Sequence, residues 1–292
     1  MLLEEALEYL AIRPGGVYVD ATAGAGGHSA AIARRLTTGR LLALDRDRAA
    51  LAAAGERLQE FGGKVRLVHS ELQNVVETME REGVAPADGL LADLGLSQMQ
   101  LADAGRGFSF AAEGPLDMRM DASQPLTAAE VVNRSGEREL ADLIYQFGEE
   151  RRSRRIARAI VRARPLRSTK QLAEVIRAAS GPSRYQRIHP ATRTFQALRI
   201  VVNGELDQLQ AALDSLPSSH ALRPGAHIVI ISFHSLEDRI VKQSFRSWQA
   251  RGYARIVTRR IVAPSEAEVR RNPRSRSAKL RAAEVAAPAQ EN

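Results

Sequence analysis

Val17-Tyr18-Val19-Asp20-Ala21-Thr22-Ala23-Gly24-Ala25-Gly26-Gly27-His28 is a short β-forming run that ends in an acid, turns through glycines and enters a helix-forming segment. Glycine accepts positive backbone angles and lets a ligand approach closely, and a helix opening just after it presents unpaired N–H groups. A second apolar run, Leu41-Leu42-Ala43-Leu44, follows about twenty residues on and closes in Asp45, the interval at which nucleotide-binding α/β units place a ribose-binding acid. The two features at this separation point to an α/β fold with an adenosine-type ligand. A glycine turn alone suits a structural role equally well.

Outward from this unit, 49–61 reads as a helix and Val65 to His69 as a third strand. Ser70 with Gln73 has the pattern of a capping box opening the next helix. Asp88 to Asp93 reads as a fourth strand, ending in an acid followed by Gly95. Strand alternating with helix implies a parallel sheet covered on both faces. From about 104 the alternation stops. A Gly/Pro-containing loop (105–125) leads into helical segments over 128–133, 137–147, 149–163, 169–179 and 191–216, the last with Phe195, Leu198, Val202, Leu206 and Leu209 on one apolar face. Strand character returns at 226–231, a helix follows over 236–249, and two β-type segments lie around 254–262 and 277–285; 286–292 reads as a frayed end. The expected organisation is a core over 1–103, a helical insertion over 104–216 and the second part of the core over 217–292.

The chain has 292 residues, a net charge of +8 and a pI near 10.3, which favour a polyanionic partner such as nucleic acid. The charge is uneven: residues 251–281 carry ten Arg and Lys against Glu266 and Glu268. The absence of cysteine excludes disulfides, thiolate metal sites, cysteine nucleophiles and base modification at pyrimidine carbon-5 through a cysteine adduct. No apolar run reaches the ~18–20 residues of a membrane span, and Glu4, Glu5 and Glu8 interrupt any signal-peptide core, so a cytoplasmic protein is expected. No His/Asp/Glu cluster has ligand spacing, so no metal is expected. His69 and His227 read as structural, and His189, before Pro190, as part of a turn or cap.

In open parallel sheets the ligand lies beyond the carboxyl ends of the strands. Four such ends carry functional side chains: Asp20 with its glycine turn, Asp45, Asp93, and Ser232-Phe233-His234-Ser235. Asp20 fits a brace for the turn as well as it fits a ligand contact. A nicotinamide dinucleotide needs a third glycine where this chain has Ser29, and no Walker lysine follows the turn. S-adenosylmethionine, an adenosine cofactor without a pyrophosphate, suits the pattern, and methyl transfer asks for no protein nucleophile. Asp93, or a carbonyl near Leu94-Gly95, could orient the N–H groups of an exocyclic base amine, whose lone pair is delocalised into the ring. A base in a helix must first be unstacked. Arg151, Arg155, Arg158 and Arg162 share one helical face, either a solvated ridge paired with Glu149 and Glu150 or a phosphate-contacting one. A non-catalytic RNA-binding assembly factor and a nicotinamide dehydrogenase are the rival readings. DNA amino-methylation is a closer one, although the proline-proline-aromatic motif of those enzymes is missing after Asp93.

Ten stretches in order along the chain carry a resemblance: Asp20-ATAGAGGHS, Leu44-DRD, Ala92-DLGLS, Arg106-GFSF, Gly114-PLDMRM, Phe147-GEE, Arg155-IARAIV, His189-PATRTFQALRIVVN, Ile231-SFHSLEDRIVK and Asn272-PRSRSAKLR. The chain resembles the bacterial RsmH (MraW)-type 16S rRNA cytosine-N4 methyltransferase family. The resemblance implies a class I (Rossmann-like) S-adenosylmethionine methyltransferase sheet with an inserted all-helical domain for substrate recognition. It also implies a small-subunit rRNA substrate, methylated on cytidine N4 in the decoding region of an assembled or assembling 30S subunit. It carries the cofactor contacts onto Gly26, Gly27, His28, Asp45, Leu72, Asp93 and Gln100, with Asp93 also orienting the amine and His234 or Ser235 contributing to the cytosine pocket. Two departures stand out. The family's serine-serine-proline-glutamine-leucine-aspartate loop is Ser97-Gln98-Met99-Gln100-Leu101-Ala102 here, and its histidine-any-proline-valine head does not precede the first helix, as a shortened start would give.

Overall fold

Among the described residues, seven strands form one sheet: β1 (Val17–Asp20), β2 (Arg40–Asp45), β3 (Val65–His69), β4 (Ala87–Asp93), β5 (Leu222–Ser232), β6 (Ala254–Ile256) and β7 (Lys279–Val285). The computed structural model describes residues 1–181 and 189–287. Its helices are α1 (Leu3–Leu10), α2 (Gly27–Arg35), α3 (Arg48–Leu58), α4 (Val75–Arg81), α5 (Gln98–Ala102), α6 (Ala128–Arg134), α7 (Glu137–Gly148), α8 (Ser153–Ala163), α9 (Thr169–Ser180), α10 (Thr192–Asn203), α11 (Glu205–Ser215), α12 (Ser235–Ala250) and α13 (Glu266–Arg271). The chain divides into two units, Met1–Gly95 with Leu206–Asn292, and Leu96–Glu205.

In the first unit the strand order is β3-β2-β1-β4-β5-β7-β6, with β1 to β5 parallel and β7 antiparallel to both of its neighbours. This is the α/β class expected. Parallel strands are buried on both faces, so each reads as a continuous apolar run whose alternate residues serve opposite cores. Val19, Leu42, Leu44, Leu90, Ile228 and Ile230 pack with Met79 of α4, Leu213 of α11, and Phe245 and Trp248 of α12. Tyr18, Leu41, Leu91, Val229, Ile231 and Leu280 pack with Leu7 and Leu10 of α1 and Ile32 of α2. At the amino ends of the strands, buried Asp88 is satisfied by Val17 N (2.7 Å), Arg13 (2.6 Å) and Arg223 (3.2 Å).

The second unit packs α6 to α10 around Val132, Leu140, Ile144, Ile156, Ile160, Leu172, Ile176 and Leu198. Two of the motifs that carry the resemblance lock together here. The Asn203 side chain accepts from Met120 N (2.7 Å) and donates to the Met118 carbonyl (2.8 Å), so the end of α10 holds the 114–120 loop. His189 stacks on Phe110 at 4.6 Å between centroids, and Phe195 meets the same ring edge-on at 5.0 Å.

Several expectations are corrected. Ser70 does not cap a helix. Its hydroxyl lies 2.9 Å from Thr78 Oγ1, and the next turn starts at Leu72 with no side-chain cap. The single helix expected over 191–216 breaks at Gly204, which sits at φ +59° and closes α10. Its apolar face is divided accordingly, Phe195, Leu198 and Val202 going to the helical core and Leu209 and Leu213 to the sheet core. For that reason the helical unit ends at Glu205, not 216. It begins at Leu96, not 104, because Leu96 and Leu101 pack on the helical core. Helix α8 starts at Ser153, since Glu149 adopts φ +51° and ends α7. The strand expected over 254–262 stops at Ile256: Val257 N and Thr258 N both donate to the Ala282 carbonyl, which breaks the register until Val262 bridges Leu280. Of the frayed end expected over 286–292, residues 288–292 lie outside the described residues.

Candidate active site

The carboxyl ends of β1, β2 and β4 are tied by backbone and side-chain hydrogen bonds into one edge. Asp20 is fully buried; one oxygen accepts from Thr22 N (3.2 Å) and the other from the Ser29 hydroxyl (2.6 Å), so it fastens the glycine turn to the first turn of α2. This is the bracing role rather than a ligand contact. Ala21 N donates to the Leu91 carbonyl and Ala23 N to the Leu44 carbonyl, which sets the turn between β4 and β2.

Gly26, the N-cap of α2, stands at φ +77°, and a Cβ there would lie 3.3 Å from Ala54 Cα. Both the backbone angle and the contact with α3 require glycine. With no side chain at the cap, the first N–H groups of α2 receive no internal cap, and Gly27 is exposed. A helix start of this kind favours a carboxylate or another electron-rich group.

Asp45 is oriented before any ligand arrives: Gly24 N donates to Oδ2 (2.7 Å) and Asp47 N to Oδ1 (2.8 Å). A carboxylate offers about four acceptor positions, so lone pairs remain for further donors. Burial pushes its pKa up while the two N–H groups oppose the shift. Leu72, at the turn after β3, is half-buried against the sheet core and offers an apolar surface beside Glu71, whose carboxylate lies 3.5 Å from Arg46.

Asp93 closes β4. Its backbone N–H donates to the Thr22 hydroxyl at 2.6 Å. Oδ2 lies 3.5 Å from His28 Nδ1, whereas Oδ1 is buried and has no hydrogen-bond partner. The side chain retains 19% exposure. Burial, with Glu237 and Glu268 nearby, pushes its pKa up to about 6. Burial pushes the His28 imidazole down to about 4, so it is neutral at physiological pH. His28 Nε2 faces the Met1 carbonyl at 3.1 Å and therefore carries the proton, which leaves the Nδ1 lone pair facing Asp93. An acceptor nitrogen and an unpartnered carboxylate oxygen at one strand end call for a cationic or hydrogen-bond-donating ligand.

His234 is the N-cap of α12 and half-buried. Its Nδ1 accepts from Glu237 N (3.3 Å), while Glu237 Oε2 accepts from Phe233 N (2.8 Å) and His234 N (3.3 Å). The ring's Nε2 is 3.2 Å from Glu237 Oε1 but outside hydrogen-bonding geometry. Gly95 stands at φ +98°, and a Cβ there would lie 3.3 Å from the Phe233 ring, so a side chain would be strained.

The sheet unit thus holds Gly26, Gly27, His28, Asp45, Leu72, Asp93 and His234. Gln100 belongs to the helical unit, where it is buried and its side chain closes a capping box with Ser97 at α5. Three other histidines are structural: His69 Nε2 bonds the Arg46 carbonyl, His227 Nδ1 the Tyr9 carbonyl, and His189 Nδ1 accepts from Ala191 N. Sequence reasoning missed Thr22, Ser29 and Glu237. Thr22 and Ser29 follow Asp20 at i+2 and at the first helical turn, a spacing that signals side-chain bracing. Glu237 stands three residues after His234, the interval of a capping box with an unusual cap residue.

No helix among the described residues is long and apolar enough to cross a membrane. A ribosomal RNA small subunit methyltransferase H from Koribacter versatilis is 55% identical over 293 residues, covering 97% of this chain and 92% of that protein. Another protein of that name, from Acidobacterium capsulatum, is 54% identical over 291 residues and 97% of each chain. A solved rRNA methylase from Streptococcus thermophilus is 12% identical with a TM-score of 0.44, over 98% of both chains. The model of the MraW methylase family matches residues 1–286, and the chain belongs to that family.

Proposed function

We propose that this chain transfers a methyl group from S-adenosylmethionine to the N4 amine of a cytidine in the decoding region of small-subunit rRNA. The observation that carries the reading is the convergence at one sheet edge of the Gly26 turn, the pre-oriented Asp45 carboxylate and Asp93 with its unpartnered Oδ1. These residues fit the cofactor. Gly26, Gly27 and His28 frame the turn, Asp45 accepts from the ribose and Leu72 covers the adenine. The sulfonium supplies the electrophilic methyl when bound, and acidic neighbours suit its positive charge.

Asp93 Oδ1 accepts an N–H of the cytidine amine and turns its remaining electron density outward. As nitrogen gains the methyl group it must lose a proton, and a carboxylate with a pKa about 6 is suited to receive it. His234 and Ser235 border the base pocket, with Glu237 setting the His234 ring. The remainder is positioning and water exclusion. The relatives named for small-subunit rRNA methylation support the substrate, and the basic composition supports a polyanionic partner such as RNA; the proposed setting is an assembled or assembling subunit in the cytoplasm. The helical unit serves substrate recognition. Mass-spectrometric mapping of methylated cytidines in rRNA from cells with and without the gene tests the reading. An unchanged map overturns it.

A further inference from the structure

Strand register places an unneutralised arginine cluster at the same end of the sheet as Asp93 and His234. Ser232, the last residue of β5, pairs with Lys279, the first of the antiparallel β7. The residues just before Lys279 therefore emerge beyond the carboxyl end of β5. Val262 bridges Leu280, which lies opposite Ile231, so the 259–261 segment approaches that end too. Arg259, Arg260, Arg271, Arg274 and Arg276 are all exposed, and none has an acidic partner among the described residues. The two nearby acids are otherwise engaged: Glu266 pairs with Arg270, and Glu268 accepts from Leu2 N at 2.8 Å.

The same strands treat their other arginines differently. Arg255 is paired with Glu284 opposite His227 in the middle of β5, and Arg281, opposite Ile230, is held by both oxygens of Asp238 at 2.7 and 3.1 Å. The arginines within β6 and β7 are neutralised; these five, on the segment that joins the two strands, are not. The turn that carries Arg274 and Arg276 is also fixed. Ser275 between them is fully buried, its hydroxyl and N–H both reach the Asn272 carbonyl (2.8 and 2.9 Å), and Ala278 N closes on the Ser275 carbonyl. The two guanidinium groups thus project from a rigid base.

We infer that Arg259, Arg260, Arg271, Arg274 and Arg276 form a lip that binds backbone phosphates of the RNA strand flanking the nucleotide presented to Asp93. The inference rests on the proposed RNA substrate and deepens it. Guanidinium groups bind phosphate oxygens through paired N–H donors, and an unpaired cluster gains more from a polyanion than one already in salt bridges.

The test measures binding of a single-stranded fragment of small-subunit rRNA across a salt series for the full chain, R274A/R276A, R274K/R276K and R255A. Two lost phosphate contacts lower the slope of log affinity against log salt by about 1.4, at ~0.7 per contact on a single strand. R274A/R276A should show that change and weaker binding at every salt concentration, with S-adenosylmethionine affinity by calorimetry intact. The lysine variant should keep the slope, and R255A should match the parent. An unaltered slope in R274A/R276A overturns the lip, whatever else that surface binds, and leaves the methyltransferase reading standing. The expected slope change in R274A/R276A, together with a parent chain that methylates no cytidine, overturns that reading instead.

Discussion

The hydroxyl of Thr22 accepts the backbone N–H of Asp93 at 2.6 Å and so couples the glycine turn after β1 to the end of β4. The ends of β1 and β4 are thereby held in one geometry rather than two independent ones. Thr22→Val keeps the shape but leaves a buried N–H unsatisfied, at a cost of about 1–3 kcal/mol. Denaturant unfolding should register that loss, and calorimetry should show weaker S-adenosylmethionine binding. Thr22→Ser should restore most of both, and equal stability of the valine variant and the parent would remove the coupling.

Asp93 pays in stability for its place. Its carboxyl is pushed from 3.8 up to about 6, so the folded state prefers the protonated form, and stability falls as pH rises from about 4 through about 6. Asp93→Asn removes that penalty. The variant should match the parent near pH 4 and be more stable above about pH 6, by up to about 3 kcal/mol, while losing methyl transfer. Thermal melts across pH give the comparison. In the parent, kcat/KM should drop on the acid side of about pH 6 as the acceptor is lost.

Asp45→Ala removes a charged acceptor for the ribose and should weaken cofactor binding by roughly 10–100-fold, the equivalent of about 1.5–3 kcal/mol. Gly24 N and Asp47 N lose their partner as well, so a modest fall in melting temperature should accompany it. Unchanged affinity by calorimetry would withdraw the ribose role.

Gly26 and Gly27 are adjacent but not equivalent. Gly26→Ala forces a left-handed backbone angle at a cost of about 1–2 kcal/mol and presses on Ala54 at 3.3 Å. Gly27→Ala meets only the Arg57 side chain, at 3.7 Å, with no positive φ. The first should lose stability and cofactor affinity together; the second should retain its melting temperature. Similar behaviour of the two would mean that the turn is looser than its geometry.

The five parallel strands were legible because burial on both faces leaves uninterrupted apolar runs, as in Leu41 to Leu44 and Ala226 to Ile231. The α10–α11 break was not, because one apolar stripe continues through Gly204 and periodicity does not reveal that its halves serve different cores. In the site, the carboxylates at strand ends could be read from position along the chain. The Thr22–Asp93 and Asp45–Gly24 bonds span 71 and 21 residues, and no local pattern encodes such pairings. Glu237 escaped notice because histidine is an uncommon helix cap, so the interval from His234 carried little weight.

Strand β7 comes last in sequence yet lies inside the sheet, between β5 and β6. During synthesis β5 therefore has a bare flank until residues 279–285 leave the ribosomal tunnel, and β6 has nothing to dock on. An exposed apolar strand margin invites pairing with other chains. A product truncated before Lys279 should consequently clump instead of persisting as a weakened enzyme, which makes premature termination late in this message a loss of solubility first and of activity second.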